Sequence, residues 1–103
     1  MSMQHQAFRQ ALEASLSAQS VQTVVDKAYA FQAAENAQRV PRARYGTVKL
    51  AREADAMWDQ VVANIFSGLA GRSDAQILAQ LQDDDFIDSM TEALLEIEFT
   101  QES

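Results

Sequence analysis

Two groups of carboxylates have a spacing that could support chemistry. Glu53, Asp55 and Asp59 fall in one short stretch, and Asp85, Asp88 and Glu92 fall in another. On facing helices they could share a hard cation such as Mg²⁺, which takes oxygen ligands and keeps several waters. Such a site would polarise phosphate oxygens or activate a water. The other ingredients of catalysis are missing. His5 is the single histidine and stands close to the start of the chain, so no general base is placed. There is no cysteine, no Gly-rich phosphate loop and no nucleophile elbow. Asp83 to Asp88 lacks the alternating ligands and central glycine of a Ca²⁺-binding loop. No catalytic residue, metal ligand or cofactor is therefore assigned.

Charge is distributed more tellingly than its sum of −7 suggests. Residues 39–52 carry Arg39, Arg42, Arg44, Lys49 and Arg52 and no acid. Residues 73–103 carry nine acids and no base. Arg39, Arg42 and Arg44 beside Tyr45 could contact phosphates and stack on a base. However, nucleic-acid-binding domains usually show an overall basic balance. A helix-turn-helix built across Gly68 to Ser73 would have a recognition helix, Asp74 to Gln82, without Arg or Lys. Nucleic acid is thus not the expected partner. Pairing of this basic elbow with the acidic C-terminal region, within one chain or across a homodimer, fits the charges better.

The elements that must position these residues are legible from periodicity. Ala54, Met57, Trp58, Val61, Val62, Ile65, Phe66 and Leu69 recur at helical offsets and cover about half of a helix circumference. Such a wide stripe predicts a central amphipathic helix over about residues 47–69, with Thr47 as its cap and Gly68 or Gly71 at its end. A first helix over about residues 2–17 uses Phe8, Leu12 and Leu16. A second starts after Ser20 as N-cap, uses Val21, Val24, Val25, Ala28 and Phe31, and ends near Gln38, because Pro41 disfavours helical geometry at Val40. Ser73 to Gln76 reads as a capping box opening a short fourth helix. Asp83 to Asp85 stop it and cap a last helix over about residues 85–98, whose inner face carries Phe86, Ile87, Met90, Ala93, Leu94 and Ile97.

The expected fold is all-α: a compact bundle of four to five helices in a single domain over residues 1–103, with loose ends at about 1–5 and 100–103. A hydrophobic content of 48% is too high for intrinsic disorder. No segment reaches the roughly 20 apolar residues of a membrane span. Met1 to Arg9 has no basic stretch followed by an apolar one, so no secretory signal is read and a cytoplasmic location is expected.

On the back of the last helix, Leu95 and Phe99 fall one turn apart among Asp88, Glu92 and Glu96. Apolar side chains in a field of carboxylates form a candidate face for a protein partner. The same acidic block could imitate nucleic-acid phosphates toward a basic protein. These features predict a small, acidic, non-enzymatic protein–protein interaction module of the regulatory, adaptor, inhibitor or assembly-chaperone kind, binding a partner or itself and not a membrane. The alternative is a carboxylate-dependent Mg²⁺ helical nucleotide pyrophosphohydrolase. The Glu-x-x-Glu and later Glu-x-x-Asp pattern of those enzymes is absent here.

Overall fold

A computed structural model describes residues 3–99. They form five α-helices and no strand: α1 (His5–Ser15), α2 (Ala18–Ala37), α3 (Thr47–Gly68), α4 (Asp74–Leu81) and α5 (Asp84–Leu95). The molecule is an elongated bundle measuring 49 × 28 × 26 Å. The long axis is set by α2 and α3, which pack together as an antiparallel hairpin and at 1.5 Å per residue reach about 30 Å each. α1 packs on α3, α4 and α2, while α5 packs on α2 and α4.

The expected α3 stripe is the one buried. Ala54, Trp58, Val62 and Leu69 are shut from solvent, and Met57, Val61, Ile65 and Phe66 are half-buried beside them. Trp58 and Val62 meet Phe8, Leu12 and Leu16 from the α1 side, Val24 from α2, Ile77 and Leu81 from α4, and Leu94 from α5. Phe8 also stacks on Phe66, with ring centroids 4.7 Å apart.

Several helix ends differ from the expectation. The cap of α2 is Ser17, whose Oγ accepts from the Ser20 N–H at 3.1 Å. Ser20 is instead the third helical residue, buried, with its hydroxyl 2.7 Å from Ser17 Oγ. Leu16 and Val21 flank this cap at the positions of a hydrophobic staple, and both join the core, which selects Ser17 over Ser20. The chain is extended at Leu16 and Ser17, so α1 and α2 are separate helices. Gly46, not Thr47, precedes the first turn of α3. Gly71 takes the left-handed conformation after α3, at φ 90°. There a Cβ would be strained, so glycine is required. The capping box at Ser73 and Gln76 forms as expected, and Asp83 caps α5.

Of the ends expected to be loose, residues 1–2 and 100–103 lie outside the described residues. The Met3 N–H donates to Asp74 at 2.7 Å, which ties the start of α1 to α4.

Candidate interaction surfaces

The last helix is shorter than its periodicity suggests. It ends at Leu95, with Glu96 as C-cap, and Ile97 to Phe99 leave the helix. The cause is visible from α2. Lys27 Nζ donates to the carbonyls of Leu95 and Ile97, at 2.5 and 3.2 Å, where the negative end of the α5 dipole favours a cation. Phe99 then lies half-buried in a cleft with Ala30, Phe31 and Ala34 of α2. Partial burial there removes apolar ring surface from water, a gain that exposed helix continuing past Leu95 would forgo. Leu95 and Phe99 therefore do not share one helical face, and Phe99 is a packing residue.

What remains of that face is Leu95 with its carboxylates. Leu95 is 41% exposed, and Asp88, Glu92 and Glu96 are exposed around it. Among the described residues none of these three carboxylates forms an ion pair. Asp88, Glu92 and Leu95 project from the same side of α5 at helical spacing, and Leu95 also borders the start of α2 at Ser17, Ser20 and Thr23.

The basic elbow is the tip of the α2/α3 hairpin, a loop with one 3₁₀ turn at Pro41–Ala43. It is ordered by polar ties. The Asn36 side chain accepts from the Tyr45 N–H at 2.8 Å and donates to the Tyr45 carbonyl at 3.0 Å. Arg39 and Lys49 each stand 4.0 Å from the Tyr45 ring centroid, a cation–π geometry. Arg44 donates to the Ala37 and Arg39 carbonyls, closing the C-terminus of α2. Arg42 and Arg52 are exposed, and none of the five cations is in an ion pair among the described residues. Val40 and Val48 stand among them, 58% and 70% exposed. Among the described residues this elbow forms no ion pair with the acidic region.

One charged constellation escapes sequence reasoning. Arg9 of α1 reaches across to α3, donating to Asp55 at 2.6 Å and Asp59 at 2.9 Å, and along its own helix to Glu13 at 3.1 Å. His5 Nε2 lies 2.9 Å from the same Asp59 oxygen. The buried Trp58 completes the set, its indole N–H donating to Glu13 at 3.0 Å. The carboxylates, Asp55 first, raise the Arg9 guanidinium above its ordinary value. His5, and then Arg9, hold the Asp59 carboxyl below the usual carboxylate range. The partners that join α1 to α3 lie 45 to 54 residues apart in sequence, so no local spacing could reveal them. Every donor arm of Arg9 is occupied, and the cluster works as a clamp between α1 and α3.

The clamp also consumes the first carboxylate group considered for Mg²⁺. Asp55 and Asp59 face Arg9 rather than the carboxylates of α5. Among the described residues no group of three or more His, Cys, Asp or Glu side chains is placed to hold a metal ion. No described helix is long and apolar enough to cross a membrane. No family model matches the chain, and neither a curated protein nor a solved structure matches it.

Proposed function

We propose that this chain is a non-enzymatic protein–protein interaction module that binds through the outer face of α5. Leu95 supplies the apolar anchor, and Asp88, Glu92 and Glu96 set encounter rate and orientation. The observation that carries the reading is a half-exposed leucine among carboxylates that have no cationic partner among the described residues. The fold supports it by occupying Arg9, Asp55 and Asp59 in the α1–α3 clamp, which leaves them unavailable for a metal or a partner. The absence of cysteine suits a reducing compartment, the cytoplasm.

The test is capture of partners from the native host's lysate by the parent chain and by Leu95→Ala/Glu92→Lys. Phe99 is left intact because it packs against α2. The variant should keep the helical signal of the parent and lose the partner. A partner retained equally by both chains removes the α5 face from the account.

A further inference from the structure

The two unpartnered surfaces of this molecule are complementary to each other. The hairpin tip presents Val40 and Val48 among Arg39, Arg42, Arg44, Lys49 and Arg52. The α5 face presents Leu95 among Asp88, Glu92 and Glu96. Each is a small apolar centre in a field of one sign, and the signs are opposite. We propose that the tip of one copy docks on the Leu95 face of a second copy, in an antiparallel pair that makes this contact twice. The inference rests on the reading of the Leu95 face as an interaction surface and names its occupant.

The two surfaces cannot meet within one chain. Lys27 holds the Leu95 carbonyl, which fixes Leu95 at the level of Lys27 on α2. Val40 lies 13 residues further along the chain, about 20 Å at a helical rise of 1.5 Å per residue. That exceeds the Debye length of about 8 Å at physiological salt, so the ends of one molecule neither touch nor neutralise each other. Side by side and head to tail, two copies bring each tip to the other's α5. Because both complementary surfaces are then used on both copies, the arrangement closes as a two-fold dimer rather than propagating. The tip is also prepared for docking. Asn36 pins the Tyr45 backbone and Arg44 pins the end of α2, so little loop entropy remains to be lost.

The test is sedimentation of the full chain with charge reversals at exposed positions that carry no described hydrogen bond. Arg42→Glu/Lys49→Glu/Arg52→Glu makes the five-cation tip net negative, and Asp88→Lys/Glu92→Lys makes the three-carboxylate face net positive. The parent should dimerise at about 20 mM salt and bind at least tenfold more weakly at about 500 mM, where the Debye length falls to roughly 4 Å. Each reversed chain alone should be monomeric at both salts, with parental helical content and melting. An equimolar mixture of the two reversed chains should recover the dimer, since each tip then meets a face of opposite sign. A parent that stays monomeric at low salt, or a dimer indifferent to both reversals, overturns the inference. If that happens while Leu95→Ala/Glu92→Lys still loses a host partner, the Lys27-held face remains an interaction surface for a different protein. Loss of neither dimer nor partner overturns both readings.

Discussion

The five-helix body and the end of the hairpin are built from different chemistry. In the body, Phe8, Leu12, Trp58, Val62 and Leu94 close around one another from three helices, and Arg9 clamps two of those helices through three carboxylates. Between Gln32 and Glu53 the two longest helices continue as a hairpin in which Leu50 is the one buried side chain. Order there comes from Asn36, Arg39, Arg44 and Tyr45 instead. The difference separates two tasks. Apolar burial sets global stability, because each large side chain removed from water contributes kilocalories. Polar ties shape a protruding, highly charged tip at small energetic gain and leave its outer side chains exposed.

The comparison breaks most visibly at Val62. Val62→Asp puts a charge into the fully buried apolar cluster, and we expect the domain to lose its cooperative melt and most of its helical circular dichroism. Charge reversal at Arg42, in the tip, should leave the melt within about 0.5 kcal/mol of the parent. Trp58→Ala comes next, with an expected loss of about 4 kcal/mol by urea titration. Trp58→Phe keeps most of the volume and forfeits the bond to Glu13, for about 1 kcal/mol.

Arg9→Met should cost about 2 kcal/mol at neutral pH, because Glu13, Asp55 and Asp59 are left converging without their cation. The pH dependence has a definite sign. Asp59 is held below its ordinary value in the folded state, so its contribution is present above the unfolded value of about 3.9 and is lost as pH falls through the lower folded value. The gap between the parent and Arg9→Met should therefore narrow below about pH 4. Substitutions in the tip have small effects. Asn36→Ala should cost about 1 kcal/mol and confine its amide chemical-shift changes to the neighbourhood of Tyr45.

Features written in short-range spacing were legible in the sequence. The stripe of α3 and the capping box at Ser73 each declare themselves within a few residues. Helix ends were less so, because Ser17 and Ser20 are equally good caps by type, and only the packing of Leu16 and Val21 decides between them. Phe99 misled for a related reason. It keeps helical spacing with Leu95, yet a lysine 68 residues away ends the helix and the half-buried ring lines a cleft together with α2. The acidic surroundings of Leu95 were read from local sequence, since Asp88 and Glu92 need only one helix to share its face. The Arg9 clamp could not be, since the residues that saturate it belong to two helices brought together by the core.

The division between body and hairpin end is tested most directly by residue-resolved native-state hydrogen exchange on the parent chain. The account predicts that amides around Phe8–Leu12 and Trp58–Ile65 exchange only through global unfolding. Amides of α2 beyond Gln32 and of α3 before Glu53 should open locally and exchange at least tenfold faster. Uniform protection along the whole of α2 and α3 would contradict it, because the hairpin end would then be as firmly packed as the body.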